Sequence, residues 1–228
     1  RIGVMERLTM SQVSTTTSSP RRRVAMTWVV WITAVIAYGF AVMQRTSLGV
    51  MGLTAAAHFN APASVVATFM VLQLAVYAVL QIPAGITVDR LGSRVVITAG
   101  SIVMTVGQVV MALTGSVGGA VLARVLVGCG DAFIFGAAIR LVPAWFPPKQ
   151  TPLVTQLTGL LGQFGQVVSA VGLVAMVNSS GWRSTYLLAA GGAAVAAALA
   201  FLLIRDAPPG VEPERTDGNV KQLPHQVA

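Results

Sequence analysis

From Val24 to Ile204 only nine side chains are ionised: Arg45, Asp89, Arg90, Arg94, Arg124, Asp131, Arg140, Lys149 and Arg183. They leave six largely apolar stretches, at about residues 25–50, 64–86, 95–115, 117–142, 152–177 and 183–205. A hydrocarbon core about 30 Å thick takes about 20 helical residues to cross, and each stretch is long enough. Of the 228 residues, 55% are hydrophobic and 10% charged, whereas a soluble domain carries about 25% charge. Strands of a membrane barrel would show alternation over about ten residues, and these stretches show none. The chain therefore reads as an all-α polytopic membrane protein with six transmembrane helices.

Charge placement orients those helices. Arg21, Arg22 and Arg23 directly precede Val24. The gaps holding Asp89, Arg90 and Arg94, and Arg140 with Lys149, share a side with that flank and with the tail after Arg205. The opposite gaps hold His58, an uncharged stretch from Ser116 to Gly119, and Arg183 alone. Basic loops stay cytoplasmic, so both termini are expected in the cytoplasm of a cell whose inner (plasma) membrane the chain crosses. Much Ala and Arg beside only two lysines, Lys149 and Lys221, hints at a GC-rich bacterial genome.

The net charge of +8 comes from gaps and tails, with no basic face interleaved with aromatics, so nucleic acid is not an expected partner. A cleavable signal would have a shorter apolar region than Val24–Val42. Cys129 is the sole cysteine, which excludes an intrachain disulfide. Three regions follow: a disordered cytoplasmic tail (1–23), a six-helix bundle (24–205) and a Pro- and acid-containing cytoplasmic linker (206–228).

Ionisable groups at membrane depth are costly and usually face the bundle interior or a wet cavity. Asp131 lies about 20 Å into the fourth stretch and Arg124 about 10 Å. Seven residues apart, they share a face. Arg124 is open to two readings, a snorkelling interface residue or a cavity group. Arg45 snorkels if the first helix stops near Gly49 and lies mid-span if the helix continues toward Phe59. Gln73, Tyr77 and Gln81 form one stripe on the second stretch; Gln156, Gln163 and Gln166 form another on the fifth. Such amides serve either as interhelical glue or as solute ligands. The third and sixth stretches carry only Gln108 and small hydroxyls. Charges in stretches one and four, with amides in two and five, suggest a 3+3 inverted repeat around one cavity.

The segment Gly85-Ile86-Thr87-Val88-Asp89-Arg90-Leu91-Gly92-Ser93-Arg94 resembles the signature between helices two and three of the major facilitator superfamily, with Ser93 in place of one basic residue. Arg124 through Asp131, with Gly128 and Gly130, looks like that family's helix-four motif. Trp145-Phe146-Pro147-Pro148-Lys149 resembles the loop that follows, and Gly181-Trp182-Arg183 the start of helix six. Arg45 is similar to the helix-one arginine of the anion:cation symporter branch, although Met43-Gln44 replaces that branch's usual aromatic-Asp pair. The antiporter signature of helix five wants a Gly-Pro pair, which Gly165-Gln166 and Gly172-Leu173 do not supply.

The resemblance implies the N-terminal half of a twelve-helix fold that transports solutes by alternating access, with a second six-helix half, in the same full-length chain or a second subunit, as partner. Asp89, Arg90 and Arg94, with Gly85 and Gly92, would form the conformational latch. The expected solute ligands are Tyr38, Arg45, Gln73, Tyr77, Arg124, Asp131, Gln163 and Gln166, with Asp131 as the proton-coupling group. Two arginines and one aspartate favour an anionic organic solute. A six-helix solute-binding subunit and a drug-efflux antiporter are the competing readings. An enzyme is not expected, since His58 and His225 lie outside the apolar stretches and no nucleophile motif occurs. No cofactor or metal is expected either.

Overall fold

The computed structural model describes residues 20–208. Most of the two expected tails, residues 1–19 and 209–228, lies outside the described residues. Eight α-helices and one π-helical turn make up the rest: α1 Pro20–Val50, α2 Gly52–His58, α3 Ala63–Leu91, α4 Ser93–Leu113, α5 Val117–Trp145, α6 Thr151–Gly162, α7 Phe164–Val168, the π-turn Ser169–Leu173 and α8 Val174–Leu203. Among the described residues there is no strand.

The run from Thr151 to Leu203 is almost continuously helical over 53 residues. A straight rod of that length would reach about 80 Å, more than twice the hydrocarbon core. Gly181 breaks it with φ 79° and ψ 174°, a left-handed conformation that glycine adopts at little cost. Trp182 then donates from its indole nitrogen to the Met111 carbonyl at the far end of α4. Arg94, at the start of α4, meets Phe201, so the stretch after Gly181 runs antiparallel to α4. The fifth and sixth expected stretches are therefore two crossings, and six crossings result.

The first helix begins at Pro20, a residue whose fixed φ suits a first turn, and so takes in the last residues of the expected tail. Beyond Val50 the chain bends at Met51 and continues as α2 to His58. The helical path thus reaches past Arg45 by about four turns, and Arg45 lies inside the bundle. Ser116 caps α5 by accepting from the Gly119 amide at 3.2 Å.

Lipid tails are as apolar as leucine, so these helices associate through close packing rather than water exclusion. Ala189, Ala193, Ala196 and Ala200 form a buried stripe on α8, the face turned to α4. At the α4–α5 contact, a methyl group on Gly100 would sit 2.8 Å from the Gly130 carbonyl oxygen. α3 leans mainly on α5 and is the least buried crossing. At one end of the bundle Trp28, Trp31 and Phe146 interlock edge to face. At the other, Phe59 meets Phe69 and Trp182 edge to face, and Tyr186 lies tilted against Trp182.

Candidate functional site

α1 and α5 cross with their polar residues turned toward each other, which brings stretches one and four to a single place. Arg45 Nη1 donates to Asp131 Oδ2 at 3.1 Å. Asp131 is 1% exposed at its side chain and Arg45 18%. The second carboxylate oxygen, Oδ1, has no partner among the described residues. Desolvating such a pair costs several kcal/mol per ion, and pairing returns only part of it. One contact to one oxygen is poor compensation, so stability does not account for this pair. The Arg45 guanidinium also lies 5.5 Å from the centre of the Tyr77 ring on α3, a cation–π contact.

Arg124 is fully buried and does not snorkel. Its Nη1 donates to the Gln44 carbonyl and Ser47 Oγ at 3.3 Å and to Gln73 Oε1 at 3.4 Å. Its Nη2 donates to Ser47 Oγ at 3.3 Å and to the Tyr186 hydroxyl at 3.1 Å. Gln73 returns to α1 by donating from Nε2 to the Arg45 carbonyl at 3.3 Å. One guanidinium therefore ties α1, α3, α5 and α8 together directly behind the turn that presents Arg45. It acts within the packed interior, away from any open surface.

The remaining expected ligands divide. Tyr38 is nearly buried on α1, stacks on Phe135 and accepts from Gln163 Nε2 at 3.3 Å. Gln163 and Gln166 both lie on the exposed side of the fifth crossing. Gln166 makes no side-chain contact that joins it to Arg45 or Asp131. Gln73 serves the arginine network rather than the open face. Ser47 and Tyr186 were missed by the sequence reasoning. Tyr186 follows Trp182 by four residues, and that aromatic pair was the available signal.

At the end carrying most of the charge, hereafter the basic end, the latch residues close on their own bundle. Asp89 on α3 pairs with Arg140 on α5. Arg94 donates from Nε to the Phe201 carbonyl at 2.7 Å and stacks 4.6 Å over the Phe201 ring. Its amide is capped by Asp206 Oδ1 at 2.9 Å, a favourable place for an anion at a helix N-terminus. Gly92 turns the chain with φ 84°, and a methyl group there would meet the Asp206 carboxylate at 2.7 Å. Trp145 adds a bond to the Arg205 carbonyl at 2.8 Å. Asp206, assigned by sequence to the linker, belongs to this cluster. Gly85 and Arg90 are exposed and take no part in it.

Residues 30–225 match the sequence profile of the Major Facilitator Superfamily. The chain belongs to that superfamily. Its curated relatives include the "Probable L-galactonate transporter" of Escherichia coli (strain K12), 24% identical over 159 residues that make up 70% of this chain and 34% of that protein. The "Probable sulfoacetate transporter SauU" of Cupriavidus necator is 26% identical over 49% of this chain and 26% of its own length. The "Hexuronate transporter" of Escherichia coli (strain K12) is 25% identical over 50% of this chain and 26% of its own. Among solved structures, a bacterial homologue of the human lysosomal transporter Spinster, inward-facing and occupied, superposes with a TM-score of 0.68 at 18% identity, over 85% of this chain and 46% of that one. The matched regions thus cover less than half of each of these proteins. The superfamily's all-helical fold and its multi-pass placement in a membrane hold for this chain, as the motifs in the sequence led us to expect.

Proposed function

We propose that this chain is the N-terminal bundle of a secondary transporter that carries a small organic anion together with a proton. Arg45 is the anchor for the solute carboxylate, and Asp131 is the proton-exchanging group. The observation that supports this reading is the Arg45–Asp131 pair itself, a single contact between a planar five-donor cation and a buried carboxylate with one oxygen unpartnered.

The coupling follows from competition. While Asp131 is ionised it holds Arg45. Once protonated it releases the guanidinium, whose fork then engages an incoming carboxylate in a bidentate manner. Proton and anion therefore load together, and the site empties when the proton leaves. Tyr38, Tyr77 and Gln163 supply hydroxyl and amide groups around the anchor, suited to a hydroxylated acid. The names of the relatives, which concern galactonate, hexuronate and sulfoacetate, agree with an anionic substrate. The basic end faces the cytoplasm of a bacterial inner membrane. A second six-helix half closes the cavity on the side where α3 and the fifth crossing leave amides uncovered, and rocking of the halves gives alternating access.

The test uses the full-length gene product in proteoliposomes, with L-galactonate and D-glucuronate as probes. Asp131→Asn abolishes accumulation driven by a proton gradient but preserves solute counterflow, because Arg45 stays available. Proton-driven accumulation at the wild-type level in Asp131→Asn overturns the assignment.

A further inference from the structure

α3 and α4 diverge from the tight turn at Gly92 and barely touch, each packing instead on α5. Between them lies a groove of about 250 Å³ whose floor is Cys129, Gly130 and Phe133 of α5 and whose walls include Leu91, Val95 and Ala99. The hollow exists because α4 and α5 meet there through Gly100 and Gly130, which contribute no side chains to fill it. Thr87 carries the one hydroxyl among its lining residues, and that hydroxyl is already spent on the Pro83 carbonyl at 2.7 Å. The lining therefore has nothing to offer a polar ligand. An alkyl chain suits it.

The groove reaches the basic end at Thr87, Leu91 and Val95, and there the charges are unequally committed. Asp89 is paired with Arg140. Arg94 is bound to Phe201 and turned toward α8. Arg90 stands between Thr87 and Leu91, two residues that line the groove, is exposed, and has no partner among the described residues. Three residues along a helix place Arg90 beside Thr87 on the same side. An unpaired cation at the membrane surface above an apolar slot is complementary to one kind of molecule, an anionic phospholipid.

The geometry points to a lipid site: one acyl chain of an anionic phospholipid lies in the α3–α4–α5 groove, and its phosphate pairs with Arg90. This site is separate from the Arg45–Asp131 pair and stands whatever solute the transporter carries. One basic residue near an anionic headgroup is worth about a fivefold preference over a zwitterionic one.

Cys129, the chain's sole cysteine, lies in the groove floor and reports occupancy. The full-length protein, with any further cysteines outside this chain replaced, is reconstituted in phosphatidylcholine vesicles or in vesicles that also contain one-fifth phosphatidylglycerol. Labelling of Cys129 by N-ethylmaleimide is expected to slow by up to about 1.8-fold with phosphatidylglycerol, because the fivefold preference acts on one lipid in five. Arg90→Gln loses that protection, Arg90→Lys keeps it, and Ala99→Trp, which fills the groove, slows labelling in both vesicles. Soluble glycerol 3-phosphate gives no protection. Equal labelling in both vesicles, protection that survives Arg90→Gln, or protection in pure phosphatidylcholine from a covering protein segment each overturns the proposal.

Discussion

Tyr186→Phe removes one oxygen from the centre of the bundle and leaves the ring, with its 4.6 Å contact to Trp182, in place. That oxygen accepts from Arg124 Nη2 at 3.1 Å, the shortest of the bonds made by this guanidinium. A hydrogen bond to a charged group is worth about 1.5–3 kcal/mol in soluble proteins. Polar contacts between membrane helices average about 0.6 kcal/mol and reach about 1.7, because helices separated in the bilayer still find partners. Arg124 favours the upper part of the membrane range. Its charge is fully buried and its Nε is already without a partner among the described residues. It is spared the larger soluble figure because Nη2 keeps Ser47 at 3.3 Å. The expected loss is about 1–1.5 kcal/mol, close to a tenfold change in the unfolding constant. Dodecyl sulfate titration in mixed micelles measures it, with Trp182 emission as a local reporter. A loss below about 0.3 kcal/mol would show that Arg124 does not depend on the sixth crossing. A loss as large as that of Tyr186→Ala, which also deletes the ring packing, would instead assign the whole effect to the hydroxyl and contradict the moderate figure expected for one membrane hydrogen bond.

Gly92→Ala places a methyl group against Asp206 in a left-handed backbone, and about 1–2 kcal/mol of destabilisation is expected, visible as a lower unfolding temperature; an unchanged midpoint refutes the close contact. At the same end, Asp89→Asn and Arg140→Gln form a double-mutant cycle. The pair is partly exposed, 54% at Asp89 and 30% at Arg140, so its coupling is expected below about 1 kcal/mol and reduced by salt. A salt-insensitive coupling of several kcal/mol would contradict that.

The architecture was largely legible because each crossing announces itself by length, and the one ambiguity, a 53-residue helical run, is resolved at Gly181. Arg45 was not legible, since its depth depends on whether α1 stops at Gly49 or continues as α2, and composition does not distinguish them. Arg124 was left open between two readings for a different reason. Sequence shows a cation in a span but not its acceptors, which here come from a main-chain carbonyl and from Ser47, Gln73 and Tyr186 on three other crossings. Asp206 escaped notice because a carboxylate just past the last helix looks like linker, and only the turn at Gly92 carries the α4 amide to it. The amides of the fifth crossing stood where the periodicity put them, on one exposed side, yet Gln163 alone reaches back to α1.

The π-turn at Ser169–Leu173 interrupts the fifth crossing where it lies against α1. Such a turn stores one surplus residue, since its ladder closes over five residues instead of four. Passing that surplus along the backbone rotates the residues it traverses by about 100° and shifts them by about 1.5 Å without unfolding the rod. The π-turn thus gives the fifth crossing a place where its register against α1 can change, beside the crossings that Arg124 ties together.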